Sequence, residues 1–225
     1  MRTHTKFFSF SKLANVDGAT TVVRIAMVWN DLAIANSSLG YFKRLPPKTL
    51  NHIRQGAPLY FVRMSCGHLR EGLRAIKEVK ASPRLAELVK GCDPHAQSAF
   101  AALCECLPNG GNYADFERYV KPVRNKTAFH YDSDQVEWAL RFRAKHHSRT
   151  PGSMTIGEDI HSTRFEFADV VLDTVTCRNL WSIPMSADVQ VEADRIAEWA
   201  FNRTLEFLDF GGDFVSRYLR KYAPL

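Results

Sequence analysis

The sequence predicts a mainly α protein, a helical bundle with a long antiparallel helix pair and a small β-hairpin near 154–167. Three observations lead there. Two long stretches close to the N-terminus carry apolar residues at alternating spacings of three and four, the period of a helix with one buried face. A Pro-Pro turn separates them, so the simplest packing is an antiparallel helical hairpin. Helix-start signals, Ser82-Pro83, Asp93-Pro94 and Asp132-Ser133, then recur ahead of further periodic stretches.

Taken in order, the first helix runs from Thr20 to about Phe42, with Val22, Ile25, Trp29, Leu32 and Leu39 on its apolar stripe. Ala26, Ala33 and Gly40 are small neighbours that permit close approach. Leu45-Pro46-Pro47 ends it, because proline lacks the N–H and its ring excludes the helical conformation of the residue before it. The second helix runs from about Pro58 to Val79, with Leu59, Val62, Cys66, Leu69, Leu73 and Ile76 as its seam and Pro58 suited to the first turn.

Shorter helices follow to about Lys90, behind Asp93-Pro94, and from about Tyr113 through residue 130, disturbed at Pro122. Pro108 to Asn112 is a loop. Asp132 to Asp134 reads as the cap of a helix carrying Val136, Trp138, Leu140 and Phe142. Residues 146–153 have linker composition. Arg164-Phe165-Glu166-Phe167 alternates like a strand, which places the hairpin between helices. Residues 168–180 and 188–222 read as helices, the last broken or kinked at Gly211-Gly212. The organisation expected is a helical core over 1–147. The hairpin and C-terminal helices of 148–225 pack on it without forming an independent domain.

Composition bounds the function. With 225 residues, 45 % hydrophobic and 24 % charged, the chain is an ordinary globular one. No apolar run approaches the roughly 18 residues of a membrane span, and residues 1–10 lack a signal-peptide core, so the expected location is the cytoplasm. Five scattered cysteines argue against a disulfide framework. Cys104 and Cys106, with His95 upstream, lack a second ligand pair at zinc-like spacing, so no metal and no cofactor is expected. The net charge of +6 is uneven. Residues 1–90 hold 15 Lys/Arg against 5 Asp/Glu, and residues 151–225 hold 7 against 12. That gradient suits a phosphate-rich partner or, equally, an acidic end docking on a basic one.

The residues that carry chemistry are Arg124-Asn125-Lys126-Thr127-Ala128-Phe129-His130. A guanidinium can hold a phosphate in a two-pronged fork. An imidazole can move a proton near neutral pH. RNA brings its own nucleophile, the 2′-hydroxyl, so a proton shuttle and a cation facing the phosphorane suffice to cut it. The spacing alone is common: Arg63/His68, Arg141/His146 and Arg141/His147 share it in a chain with 19 Arg and 8 His. Only Arg124 is followed by a polar amide and lies beside a Pro-marked irregularity. Residues six apart are about 120° short of two full turns, so Arg124 and His130 do not share a face of a straight helix. Either the helix is irregular there, or a cleft gathers side chains from different directions.

Arg-Asn-x(4)-His on a helix that follows a long antiparallel pair resembles the HEPN superfamily. Its ribonuclease members share Arg-x(4–6)-His, often with Asn, Asp or His after the arginine; Arg124, Asn125 and His130 match those positions. The 95 residues after His130 depart from compact members, which often end soon after the motif helix. The resemblance implies a metal-independent endoribonuclease of the prokaryotic toxin or anti-phage defence kind. It also implies a homodimer with two motifs facing each other, and control by an antitoxin or an activating protein. In that reading Arg124 binds the scissile phosphate, His130 is general base or general acid, and Asn125 orients the phosphate or the arginine. Lys121, Lys126 and Tyr131 are candidates for contact with the RNA substrate. The alternative is a non-catalytic HEPN-like module that binds a nucleotide or a protein partner. A DNA-binding regulator lacks any recognisable helix-turn-helix pairing. Arg141, Arg143, His146 and His147 form a second basic cluster, read as a solvated helix end or a phosphate site.

Overall fold

The computed structural model describes residues 5, 7–44, 51–128, 131–158 and 163–224, with the side chains of 42, 43 and 51–56 outside that description. The fold is mainly α, as predicted. Its helices are α1 (Phe10–Ala14), α2 (Ala19–Lys43), α3 (Asn51–Ala81), α4 (Pro83–Lys90), α5 (Pro94–Cys104), α6 (Tyr113–Tyr119), α7 (Lys121–Val123), α8 (Ser133–His146), α9 (Glu166–Thr174) and α10 (Val189–Tyr222). Two π-helical segments, Arg124–Ala128 and Val175–Leu180, continue α7 and α9.

The chain gathers into two compact units: Met1–Ala33 with His68–Ala114 and Asn202–Leu225, and Ile34–Gly67 with Asp115–Phe201. Helices α2, α3 and α10 contribute residues to both. The basic stretch 146–153, read as a linker, belongs to the second unit.

The first unit holds the expected antiparallel pair. Early positions of α2 meet late positions of α3: Thr21 and Arg24 bond to Glu78 at 2.8 and 2.6 Å, whereas Asp31 lies 3.2 Å from His68. Val22, Ile25 and Leu32 of α2 and Leu69, Leu73 and Ile76 of α3 are buried, the residues the periodicity selected. α3 begins earlier than predicted, so Pro58 lies inside the helix rather than in its first turn. It leaves the carbonyl of residue 54 without its helical donor. The Pro46-Pro47 turn lies outside the described residues.

The late part of α10 forms the rest of this core. Phe207, Phe210, Phe214 and Tyr218 are fully buried at helical spacing, and Phe210 stacks on Phe214. Gly211-Gly212 does not break α10, contrary to expectation. A Cβ on Gly211 would lie 3.0 Å from the Trp29 ring, so this glycine serves close packing. The Trp29 indole N–H then reaches the carbonyl of Leu208 at 2.9 Å.

In the second unit α8 packs on α9 and on the π-helical segment after it through Ala139, Val171 and Val175. Trp181 is 1 % exposed, and its indole N–H donates to the Tyr119 carbonyl at 3.0 Å. The expected hairpin reduces to a single antiparallel bridge, Thr155 to Arg164, and no strand forms among the described residues. Its outward apolar side chains explain why alternation alone misled: Ile156 and Phe165 are exposed and have no sheet face to cover. Among the described residues, no helix is long and apolar enough to cross a membrane.

Candidate functional site

The motif helix changes pitch at Arg124. Pro122 sits at the start of α7, and from Arg124 to Ala128 the backbone winds as a π-helix. A π turn shifts the ladder to i→i+5 and rotates each residue less than an α turn does. The Thr127 hydroxyl, in a 2 % exposed side chain, donates to the Val123 carbonyl at 3.1 Å and supplies a donor beside the shifted ladder. Of the two arrangements the spacing allowed, an irregular helix at the motif is the one found. His130 lies outside the described residues, as does Phe129.

The other motif residues divide into engaged and outward-facing groups. Arg124 is half-buried and points Nη1 to Asn125 Oδ1 at 3.4 Å; Asn125 itself is exposed. Lys121 is ion-paired with Glu117 one turn earlier. Lys126 is ion-paired with Asp132 at 2.5 Å. That bond holds the Lys126 pKa up and the Asp132 pKa down. Asp132 also caps α8 by accepting from the Gln135 N–H at 3.2 Å. Tyr131 is 76 % exposed. Asn125 and Tyr131 thus present polar and aromatic surface, whereas both lysines must exchange an internal carboxylate before they can meet a phosphate.

A cleft of about 680 Å³ opens elsewhere in the second unit. Leu59 and Val62 of α3 form one wall, and Phe142, Arg143 and His147 come from the end of α8. One face of α9, with Asp169 and Asp173, lies across it, and the start of α10 brings Gln190 and Asp194. Behind the wall Arg63 is almost fully buried and pairs with Asp173 at 3.3 Å. Burial lowers the Arg63 pKa against the opposing pull of Asp173, Tyr131 and Asp169. Burial also pushes the Asp173 carboxyl up to about 6, with Arg63 pulling it down and Asp169 pushing it further up.

Sequence reasoning passed over this pair. Arg63 entered the sequence reading only through its chance spacing to His68, and Asp173 did not enter it. The available signal was an arginine flanked by Leu59, Val62 and Cys66, facing acids at i, i+3 and i+7 (166, 169, 173) on another helix. Arg63 and His68, one of the chance Arg-x(4)-His pairs, belong to different units, and His68 bonds to Asp31.

Among the described residues no three His, Cys, Asp or Glu side chains are grouped to hold a metal. Comparison with protein-family models, with curated proteins and with solved structures finds no match to this chain.

Proposed function

We propose that this chain is a metal-independent endoribonuclease that cuts RNA by attack of the 2′-hydroxyl on the adjacent phosphate, acting as a cytoplasmic toxin or in anti-phage defence. One observation carries the reading: the helix leaves its α phase at Arg124, where the Arg-Asn-x(4)-His spacing needs irregular geometry if its ends are to act together. π turns occur often at functional sites.

In this mechanism a general base takes the 2′-hydroxyl proton as the oxygen bonds to phosphorus. The Arg124 guanidinium stabilises the charge gathering on the non-bridging oxygens. The 5′-oxygen leaves with a proton from a general acid, giving a 2′,3′-cyclic phosphate and a 5′-hydroxyl. His130 serves as base or acid, and the same residue of a second copy in a homodimer supplies the other role. Asn125, already in contact with Arg124, fixes its fork. Tyr131 offers a ring on which a base can stack, and Lys121 and Lys126 join when their carboxylates yield to phosphate. An antitoxin or an activating protein controls so hazardous an activity.

The test is RNA cleavage in EDTA by wild type, Arg124→Ala and His130→Ala, with melting curves to confirm folding. Loss of cleavage in both variants, with cyclic-phosphate ends from wild type, supports the assignment. Equal cleavage by all three proteins sinks it.

A further inference from the structure

The ribbon joined by the Thr155–Arg164 bridge carries its two faces the wrong way round. Two backbone bonds of 2.7 Å make Thr155 and Arg164 an opposed pair, so their side chains share one face. That face is polar and tied into the protein. The Thr155 hydroxyl donates to Glu166 at 2.5 Å, and Arg164 donates to Asp169 at 3.0 and 2.6 Å. The alternate positions, Met154 opposite Phe165 with Ile156 beside them, point the other way. The Phe167 ring meets Phe165 edge-on at 6.1 Å. Met154, Ile156, Phe165 and Phe167 are 46–74 % exposed.

Two strands alone are marginal in water, and a ribbon ordinarily turns its apolar face inward. Single apolar side chains on a surface are normal, but a contiguous set is not. Side chains of this size bury about 200 Å² each when covered, so roughly 450 Å² stands open here. That is the size of the largest patch on a typical monomer, roughly 300–600 Å². The two ends of the ribbon differ in charge. Arg149 is exposed ahead of the near end, where the chain passes Phe167 at Gly152. Glu158 is exposed at the far end, beyond Gly157. Neither makes an ion pair or a hydrogen bond to another described residue.

We infer that this face binds the same face of a second copy of the chain, the two ribbons stacked in opposite directions about a two-fold axis. A surface that is apolar at its centre and oppositely charged at its ends complements itself when turned end for end. Met154 then lies on the partner's Phe165, a thioether against a ring, and Arg149 meets the partner's Glu158 at the rim. Stacking covers about 900 Å² of apolar surface over both copies, and the rims carry the total past the roughly 1,000 Å² of a specific contact. This is the small end of the range, so the dimer is weak and concentration-dependent rather than obligate. It supplies an interface for the homodimer of the ribonuclease reading but does not rest on that reading, because it uses none of the motif residues.

The experiment is sedimentation-velocity ultracentrifugation of the full chain over the micromolar concentration range. Wild type is expected to pass from monomer to dimer across it. Ile156→Asp, at the most exposed of the four positions, is expected to weaken the dimer about tenfold or more. Arg149→Glu is expected to weaken it about threefold, and Glu158→Arg in the same chain to restore it. Met27→Asp, at an exposed apolar residue of α2, and Arg124→Ala, in the motif, are expected to dimerise as wild type does. Cleavage by Arg124→Ala tests the ribonuclease reading separately. Melting curves establish that each variant is folded. A chain that stays monomeric, a dimer unchanged in folded Ile156→Asp, an equal loss in Met27→Asp, or a charge reversal that the double variant does not restore overturns the inference. Binding of a monomeric chain to phosphatidylglycerol vesicles through Ile156 also overturns it, because it gives the face to a lipid surface.

Discussion

Arg63 and Asp173 face each other at 3.3 Å with unequal access to water: the arginine side chain is 6 % exposed and the aspartate side chain 39 %. The arginine cannot shed its charge at ordinary pH, so its buried guanidinium depends on the Asp173 carboxyl group as a hydrogen-bond acceptor. The aspartate, crowded by cleft walls and by Asp169, holds its proton up to about pH 6.

This gives stability a pH dependence of definite sign. An aspartate with a folded-state pKa of about 6, against an ordinary 3.8, binds more proton folded than unfolded between those values. Its contribution is present below about pH 4 and is lost as pH rises through about 6. Because the side chain is partly open, solvent screening reduces the effect to about 1 kcal/mol. Urea unfolding at pH 4, 5, 6 and 7 checks it: the wild type is expected to lose stability across this range relative to Asp173→Asn. A difference that stays constant with pH, or grows in the opposite direction, contradicts the assignment.

The pair should also be strongly non-additive. Asp173→Leu strands a buried guanidinium and is expected to cost about 2 kcal/mol, below the usual range for a fully buried pair because Asp173 is partly open. Arg63→Met in the same chain removes the stranded charge and is expected to restore most of that loss. The midpoints of the two single variants and the double variant measure the coupling. If the two losses simply add, the pair is energetically idle.

Gly72 sets helix propensity against packing. Alanine in a helix interior is favoured over glycine by about 1 kcal/mol. At Gly72, however, a Cβ would lie 2.5 Å from Phe207 Cε2, on a ring that is 0 % exposed and has nowhere to move. Gly72→Ala is therefore expected to destabilise by roughly 1–3 kcal/mol. Gly40→Ala in α2, where the Cβ meets only the end of the Arg44 side chain at 3.5 Å, is expected to stabilise slightly. Thermal melts of the two variants should move in opposite directions.

Much of this architecture could be read from the chain. The stripes of α2 and α3 are regular, and Ser82 and Asp93 cap the helices behind them as their chemistry requires. What could not be read has physical causes. Phe207, Phe210 and Phe214 share α10 with nearly as many apolar residues on neighbouring faces, so periodicity alone does not choose the core face. The glycines between them looked like a break because close approach to Trp29 is a tertiary fact. At the site, the phase argument allowed an irregular helix at Arg124 or a cleft gathering side chains from different directions, of which the π turn matches the first. It could not anticipate the ion pairs that occupy Lys121 and Lys126, nor that Arg63 would be buried against an acid 110 residues away.

The cysteines carry a simple expectation. Burial pushes the Cys66 and Cys177 thiols up to about 12 and those of Cys92 and Cys106 up to about 11. The thiolate is the reactive form, so these four should resist thiol reagents at pH 8. Cys104, only partly buried, is the one expected to react in the native protein, and slowly, because its pKa is raised as well. Counting modified thiols by mass before and after denaturation should give no more than one, then five. Rapid native labelling at Cys66 or Cys177 would show that this packing is wrong.

Asp132 joins the motif to α8 through two separable interactions, the cap on Gln135 and the ion pair with Lys126. Asparagine caps a helix about as well as aspartate but carries no charge. Asp132→Asn is therefore expected to keep α8 and release Lys126, whereas Asp132→Ala loses both and about 1 kcal/mol of stability. If Lys126 meets the RNA backbone, the asparagine variant should bind RNA more tightly, because a phosphate no longer competes with an internal carboxylate. Its binding should also depend more steeply on salt. RNA titrations at two ionic strengths with a catalytically silent Arg124→Ala background, with and without Asp132→Asn, isolate the effect. Unchanged affinity and salt slope would remove Lys126 from the substrate surface and leave Asn125 and Tyr131 to carry it.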